Sequence, residues 1–175
     1  MIAYDFVPAS MESLDGLQTE VIVLPFFEDE RPLQCAAGLI DWRLCGALSR
    51  KLMAGYLDGH FGEKGMLATP AKLKAEGLLL VGLGPIASFD RATGERACSL
   101  IADTLRESKV TTAAMALPGR NLGLVPALDA MQLWLEASLD DETLEEMSVI
   151  EAAEEHRALS SLLDGLRRQS ESPLD

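Results

Sequence analysis

The stretch "LLLVGLGPIA" (residues 78–87) decides the fold of this chain. A fully apolar run leads into Gly82 and Gly84, and their spacing to Ala87 satisfies the pattern G-x-G-x-x-A. In dinucleotide-binding proteins this pattern joins a buried strand to a helix whose N-terminus holds a pyrophosphate. The stretch therefore predicts a strand–turn–helix unit of an α/β fold. It makes Gly82, Gly84 and Ser88, near the expected helix start, candidate ligand-binding residues.

Nucleotide binding would require further features around these glycines. Pro85 follows the second glycine and has no N–H to offer a phosphate, and the capping residues Ser88 and Asp90 place the helix start several residues later. An acidic residue about 20 positions on would bind the ribose. Asp103 has that separation but lies inside the predicted helix, and the tip of the following strand, "ALPGR", has no acid. We interpret the glycines as a sharp turn after a buried strand, with nucleotide binding as the alternative.

Strand and helix patterns alternate through most of the chain. Apolar or β-branched runs predict strands, and amphipathic runs predict helices. The predicted strands are residues 2–7, 19–27, 64–70, 77–84, 109–119 and 147–150. The predicted helices are a brief turn at 14–17, a helix beginning at an Asp41 N-cap, two amphipathic segments at 88–108 and 124–139, and a final helix after residue 151. This alternation in 175 residues predicts one α/β layer domain with a largely parallel sheet.

Charge and composition exclude several classes of function. The chain carries a net charge of −13 with 48% apolar residues, and its C-terminal 40 residues are especially acidic. An acidic surface repels phosphate backbones, so we expect no nucleic-acid partner and no membrane partner. No apolar run reaches the roughly 20 residues that a membrane helix needs. The N-terminus "MIAYDFVPASMESLD" lacks the basic region of a secretory signal, so we expect a cytoplasmic protein.

The reactive residues form no recognisable catalytic or metal-binding pattern. Cys35, Cys45 and Cys98 include no C-x-x-C pair, which favours reduced and mostly buried thiols. His60 and His156 are isolated, which is typical of surface or packing histidines rather than metal ligands. Cys45 with a distant histidine stays open as a nucleophile and base, but nothing in the sequence joins them. We therefore assign no catalytic residue, no metal site and no cofactor.

Several segments, read in order, carry a resemblance to a known family. They are "TEVIVLPFFEDE" (19–30), "LIDWRLCGALSRKLMAGYLDGHFGEKGMLATP" (39–70) with its Phe-Gly-x-x-Gly turn at 61–65, "AEGLLLVGLGPIASFDRATGERACSLIADTLRES" (75–108), and "VTTAAMALPG" (110–119). Together they resemble the N-terminal domain of the leucyl (cytosol) aminopeptidase family, the M17 peptidases. The resemblance covers residues 1–170, and we predict a flexible tail at 171–175.

The resemblance implies a fold related to the macro domain: a three-layer α/β/α arrangement around a mixed, mostly parallel sheet of about six strands. In that family the catalytic groups and two divalent metals belong to a C-terminal domain, within a block reading Asn-Thr-Asp-Ala-Glu-Gly-Arg. That block is absent from this sequence. We therefore expect a stand-alone, non-catalytic binding, regulatory or assembly module. Its expected partners are a second copy of the chain or a separate aminopeptidase catalytic subunit. The alternative is the N-terminal fragment or subunit of a metal-dependent aminopeptidase.

The macro-domain relationship also implies a second candidate function, because many macro domains bind ADP-ribose. Those domains use an asparagine-rich segment after an early strand and a glycine-rich phosphate loop. The corresponding segment here, "CAAGLID" (35–41), offers Gly38 and Asp41 but no asparagine, and Asn121 is the single asparagine of the sequence. Gly38 and Asp41 complete the candidate ligand-binding residues, and a nucleotide or ADP-ribose remains the alternative ligand.

Overall fold

The computed structural model describes residues 2–69 and 71–171, and within them strands and helices alternate as the sequence predicts. The strands are β1 (Ala3–Pro8), β2 (Val21–Phe26), β3 (Lys64–Ala68), β4 (Gly77–Gly82), β5 (Thr112–Met115) and β6 (Glu146–Glu151). The helices are α1 (Met11–Gly16), α2 (Cys35–Arg43), α3 (Ala47–Met53), α4 (Arg91–Glu107), α5 (Ala127–Ala137) and α6 (His156–Glu171). Residues 172–175 of the predicted tail lie outside the described residues.

The strands form one six-stranded sheet in the order β1-β6-β5-β2-β4-β3. All neighbouring pairs are parallel except β3 and β4, which run antiparallel with Lys64 opposite Val81 and Ala68 opposite Gly77. Only eight residues connect β3 to β4. A parallel pair needs a crossover of about a dozen residues or more, so this short connection requires the antiparallel direction. The prediction of a mixed, mostly parallel sheet is confirmed.

Helices cover both faces of the sheet, which gives the predicted three layers. Side chains of α4, α5 and α6 pack on one face around Trp134 and Ile101, and those of α1, α2 and α3 pack on the other around Leu14 and Ile40. Strand β2 is buried at every position because it has a strand on each side and helices above and below. This explains its nearly continuous apolar sequence. No helix among residues 2–69 and 71–171 is long and apolar enough to span a bilayer.

The helix predicted from Asp41 onward is instead two helices, α2 and α3. The chain leaves the helical conformation at Cys45 (φ +56°) and Gly46 (φ +77°), both left-handed. Asp41 lies inside α2 and does not cap it. Its Oδ1 instead accepts the N–H groups of Leu48 (2.8 Å) and Ser49 (3.1 Å), so it caps the beginning of α3. Asp41 is an N-terminal capping residue as predicted, but the helix that it caps is the following one, α3.

Candidate ligand-binding crevice

The carboxyl ends of five parallel strands meet at one edge of the sheet, where ligands bind in open α/β folds. Four loops converge there, following β2, β4, β5 and β6. We call the space between these loops the crevice. The glycine turn at residues 82–84 follows β4, as the sequence predicts, and it therefore lies at the crevice.

Both glycines of the turn are required by the fold. A Cβ on Gly82 would lie 2.2 Å from the His60 carbonyl oxygen and 2.7 Å from the Gly59 carbonyl carbon. Gly84 has φ +77°, a left-handed conformation that side-chain-bearing residues rarely adopt. The group that approaches these glycines closely is thus the backbone of residues 59–63. The packing of the chain alone is sufficient to explain both glycines.

The backbone N–H groups of the turn donate to the protein itself. Gly82 donates to the Glu63 carbonyl (2.9 Å), Leu83 to the Phe26 carbonyl (2.8 Å), Gly84 to the Gly59 carbonyl (2.9 Å) and Ile86 to the Asp29 carboxylate (2.9 Å). Pro85 has no N–H. A phosphate cradle depends on unpaired backbone donors. These five positions offer none.

Helix α4 begins at its own carboxylate cap. Asp90 Oδ1 accepts the backbone N–H and the hydroxyl of Thr93, each at 2.8 Å, and these hydrogen bonds hold the pKa of Asp90 below its usual value. The negative charge that a helix N-terminus favours is therefore already supplied. Ser88 ends a short 3₁₀ turn (Ile86–Ser88) and is exposed. The late helix start predicted from the capping residues is confirmed.

Apolar side chains of the chain fill part of the crevice. Phe27 and Phe89 pack edge to face with their ring centroids 5.2 Å apart. Around them lie Leu83, Ala97, Phe61, Ile86 and Leu122. Gly119 has φ +81°, and a Cβ there would lie 2.5 Å from the Phe89 ring. Loops after β2, β4 and β5 are therefore packed against one another.

An ion pair joins the loop after β5 to the end of β6. Arg120 Nε lies 2.6 Å from Glu151 Oε2, and Arg120 Nη2 lies 3.0 Å from Glu151 Oε1, which is a bidentate arrangement. The side chains are 14% and 7% exposed. Arg120 Nη1 also donates to the Val125 carbonyl at 2.6 Å. The guanidinium and the carboxylate are therefore paired with each other.

The buried side chain of Glu30 stabilises the loop after β2 by accepting hydrogen bonds from its backbone. Its carboxylate accepts the N–H of Phe27 (3.1 Å) and of Gln34 (2.9 Å), and the residue is 3% exposed. Burial raises the pKa of this carboxyl above its usual value. The charged sequence 28–34, which also contains Pro32, is typical of an exposed loop, but Glu30 is not exposed. The carboxylate is buried because two backbone donors point at it.

The prediction of mostly buried thiols is also wrong. Cys98 is buried, and burial raises its pKa to about 12, whereas Cys35 and Cys45 are exposed. Cys35 Sγ donates to the Asn121 carbonyl at 3.2 Å, which ties α2 to the loop after β5. Burial, followed by the nearby Glu30 and Glu151 carboxylates, raises the pKa of Cys35. A thiol in that environment is not activated as a nucleophile.

The remaining candidates, Gly38 and Asp41, lie away from the glycine turn. They line a separate cavity of about 570 Å³ with Pro32, Leu33, Trp42, Arg43, Cys45, Gly46 and Lys72. A Cβ on Gly38 would lie 2.4 Å from the Leu33 carbonyl oxygen, so this glycine allows close packing. Asp41 is occupied as the cap of α3. The structure does not bring the two groups of candidates together.

Metal ligation has no basis in the described part of the chain. Within residues 2–69 and 71–171, no group of three or more His, Cys, Asp or Glu side chains is placed to hold a metal ion. His60 Nδ1 bonds to Glu28 (2.8 Å), and His156 Nε2 bonds to the Glu151 carbonyl (2.9 Å). The described residues thus do not fit the two-metal centre that the family resemblance implies for a catalytic domain.

The main residues of the crevice that sequence reasoning missed are Glu30, Arg120 and Glu151. Each comes shortly after a predicted strand in the chain. In open α/β sheets, ligands bind at the carboxyl ends of the strands, so this position is the signal that could have identified them. That signal could not be used without the strand order, which places β5 beside β6.

Comparisons with known proteins agree with this architecture. Residues 23–140 match the family described as the cytosol aminopeptidase family, N-terminal domain. A probable cytosol aminopeptidase of Syntrophotalea carbinolica is 31% identical over 123 residues, which cover 70% of this chain and 24% of that protein. The chain therefore spans about a quarter of the length of this curated relative.

Two solved structures illustrate the shared fold. A mutant of tomato leucine aminopeptidase is 17% identical with a TM-score of 0.63, covering 91% of this chain and 35% of that one. A Trypanosoma brucei macrodomain is 15% identical with a TM-score of 0.70, covering 93% of this chain and 66% of that one. At these identities the similarity shows the fold alone.

Proposed function

Because this chain belongs to the cytosol aminopeptidase family through its N-terminal domain, we propose that it is a non-catalytic assembly module that binds the catalytic part of such an enzyme in the cytoplasm. The sequence lacks the family block Asn-Thr-Asp-Ala-Glu-Gly-Arg. Its described residues also group no metal-ligating side chains. Family membership and these features together support association with a catalytic domain as the role of these 175 residues.

The hydrogen bonds within the crevice argue against the alternative function, which is binding of a nucleotide. The turn at Gly82–Gly84 directs its N–H groups into the protein, and the Arg120–Glu151 pair neutralises both charges at the opposite side of the crevice. A diphosphate ligand would have to break these bonds before gaining any of its own. Binding of ADP-ribose is therefore disfavoured, although Gly82, Gly84 and Ser88 lie at the expected edge of the sheet.

The helical layer of α2 and α3 supplies a surface on which association can be tested. Trp42 is 73% exposed and Met53 is 85% exposed. Large apolar side chains that are left in water gain free energy when a partner buries them. We assign this surface to the catalytic part of the enzyme, with self-association as an outcome that the experiment separates.

Association is tested by sedimentation velocity with the catalytic part of the Syntrophotalea carbinolica aminopeptidase, produced without its N-terminal domain. We expect a complex with the 175-residue chain. The substitution Trp42→Glu, in α2, weakens it, whereas Leu124→Glu, at a 42% exposed leucine in the loop after β5, leaves it intact. Equal weakening by both variants contradicts the assigned surface. Absence of a complex contradicts the proposal, and a homodimer alone assigns the surface to a second copy.

Two further measurements address the alternatives. Leucine-p-nitroanilide is incubated with the chain and Mn²⁺ or Zn²⁺, and we expect no turnover. Robust hydrolysis by the pure chain would overturn the non-catalytic assignment. Calorimetric titration with ADP-ribose, NAD and ATP is expected to give no binding heat, and saturable heat with ADP-ribose would reinstate the nucleotide alternative.

A further inference from the structure

Strand β3 is one of the two edge strands of the sheet, and its outer side presents backbone groups that β4 does not use. The hydrogen bonds that flank β3 show which of its residues face β4. Gly82 donates to the Glu63 carbonyl (2.9 Å), and Thr69 donates to the Glu76 carbonyl (3.3 Å). Hydrogen-bonded and non-hydrogen-bonded pairs alternate along an antiparallel ladder. Every second residue of β3 therefore points its N–H and carbonyl groups away from β4; these residues are Lys64, Met66 and Ala68.

The other edge strand, β1, is protected against pairing with a further strand, whereas β3 is not. Ala3 donates to the Glu145 carbonyl (2.8 Å), so the alternate residues of β1 face outward. Of these, Phe6 donates its N–H to the Asp5 carboxylate (2.9 Å), and Pro8 has no N–H. Proline and charged side chains on an edge strand are means by which native proteins prevent edge-to-edge association. Among residues 2–69 and 71–171, no group accepts the outward N–H groups of β3, and β3 contains no proline.

Exposed apolar side chains flank the β3 edge on both faces of the sheet. Met66 is 51% exposed on one face. On the other face Tyr56 is 52% exposed and lies over Gly65, since a Cβ on that glycine would lie 3.3 Å from the Tyr56 ring. A further strand at this edge would bury part of both side chains, which is favourable. The edge thus offers backbone hydrogen bonds together with apolar contact.

The charges on either side of β3 favour a second copy of this chain, in antiparallel orientation, as the added strand. Asp58 and Glu63 come shortly before β3 and make that end acidic. Lys72 and Lys74 come shortly after it, against the single acid Glu76, and make the other end basic. Antiparallel pairing of two copies brings the acidic end of one to the basic end of the other, whereas parallel pairing would bring like charges together.

We propose that β3 pairs with β3 of a second copy, antiparallel about a two-fold axis at Met66, so that two six-stranded sheets continue into one. In this register Met66 lies opposite the partner's Met66, and Lys64 lies opposite the partner's Ala68. All the outward-facing residues are used, and about six backbone hydrogen bonds form because each such pair exchanges two. The two lysines at position 64 are about four residues, or roughly 13 Å, apart along the strands, which exceeds the Debye length of about 8 Å at physiological salt.

The intervening pairs of the dimer bring apolar groups together. Gly65 lies opposite the partner's Leu67 in a non-hydrogen-bonded pair, where the side chains of two strands come closest. Gly65 has no side chain of its own, and Tyr56 and Leu57 lie over it. The half-buried Leu67 of the partner therefore contacts the Tyr56 ring. An aromatic ring that covers a glycine of an edge strand is a recurring means of fixing strand register.

Sedimentation equilibrium of the 175-residue chain tests the dimer, and we expect a reversible one. Met66→Pro removes an outward N–H from each copy but no hydrogen bond to β4, a position where an edge strand tolerates proline. We expect this variant to weaken the dimer at least about tenfold. Met66→Leu is the matched control, because it keeps the N–H and nearly the same volume, and it should weaken the dimer less than about threefold. Thermal unfolding checks that each variant keeps its fold.

Charge variants of the same exposed residue test the register, and they remain informative if Met66→Pro does not fold. Met66→Lys and Met66→Glu each place two like charges directly opposite one another at the two-fold axis, which disfavours the pairing. We expect either variant alone to dimerise more weakly than the unaltered chain. An equal mixture places opposite charges there and should associate about fivefold more tightly than either variant alone.

The proposal does not rest on the assembly role, because the dimer is formed by β3 and Trp42 lies in α2. Trp42→Glu should therefore leave the homodimer unchanged. A homodimer that is lost with Trp42→Glu but kept with Met66→Pro would assign self-association to the α2–α3 surface and overturn the β3 dimer. A chain that stays monomeric at millimolar concentration would overturn it as well, and so would a mixture of the charge variants that shows no recovery. A monomeric chain whose complex with the catalytic part is lost with Met66→Pro would assign the edge to that part instead.

Discussion

Substituting Gly82 by alanine tests whether the glycine turn is needed for packing. The new Cβ would lie 2.2 Å from the His60 carbonyl oxygen, and Cβ atoms essentially never come within 3.0 Å of such a neighbour. The obstacle is backbone on both sides, so no side-chain rotation can relieve it. Residues 59–63 and the turn must therefore move apart.

The size of the effect follows from the bonds that this movement strains. Gly82 N donates to the Glu63 carbonyl (2.9 Å), Gly62 N donates to the Gly82 carbonyl (3.1 Å), and Gly84 N donates to the Gly59 carbonyl (2.9 Å). Each such bond contributes about 0.5–1.5 kcal/mol. Losing two or three of them lowers the free energy of unfolding by about 1–4.5 kcal/mol. For a domain of this size the melting temperature should fall by roughly 2–18 °C.

Gly77→Ala is the matched control, because Gly77 is the first residue of β4 and Gly82 the last. At Gly77 the nearest atoms would lie 3.5–3.7 Å from the new Cβ, which is ordinary contact. We expect this variant to change stability by less than about 1 kcal/mol in either direction. Urea unfolding followed by circular dichroism gives both values. A loss below about 1 kcal/mol for Gly82→Ala, or equal losses for the two variants, would refute the packing explanation.

Three other predictions follow from the crevice and the core. Arg120→Ala leaves the buried Glu151 carboxylate without its partner and should cost about 3–5 kcal/mol in urea unfolding; a cost below about 1 kcal/mol would contradict the importance of the pair. Glu30 has a raised folded-state pKa, so the folded protein binds its proton more tightly and wild-type stability should decline as pH rises above the ordinary glutamate value. Glu30→Gln lacks this contribution, and unfolding curves that depend on pH identically in both proteins would argue against it. The Cys98 thiol, with a pKa of about 12, should react with a disulfide reagent only after unfolding, while the other two thiols react in the native protein; three equal rates would disprove its burial.

The strands were predictable because their sequences carry the signal locally. The β2 and β4 segments are apolar at nearly every position, which is typical of strands covered on both faces. The direction of β3 was not predictable from its own residues, since it depends on the short connection to β4. The division between α2 and α3 was also missed. It depends on the left-handed Cys45 and on Asp41 reaching the amides of the next helix, both of which are tertiary features.

The position of the candidate site could be predicted from the sequence, but the contacts that its residues make could not. The pattern at Gly82 and Gly84 correctly places a tight turn at the carboxyl end of a strand. What occupies the turn depends on residues distant in the chain. Arg120 and Glu151 are 31 positions apart and meet because β5 and β6 are parallel neighbours. From the sequence Glu30 would be expected to be exposed to solvent. The two backbone N–H groups that it accepts come near its carboxylate only in the folded loop.

The pattern G-x-G-x-x-A has one physical meaning in both of its settings, which is close approach to the backbone. In a dinucleotide-binding protein the approaching group is a pyrophosphate, and the free N–H groups of the turn receive it. In this chain the approaching group is the segment 59–63, whose carbonyls receive the N–H groups of Gly82 and Gly84. The Phe-Gly-x-x-Gly turn at 61–65 and the Gly-Leu-Gly turn at 82–84 therefore form one structural unit. A phosphate could bind the N–H groups of Gly82 and Gly84 only if the first turn were displaced.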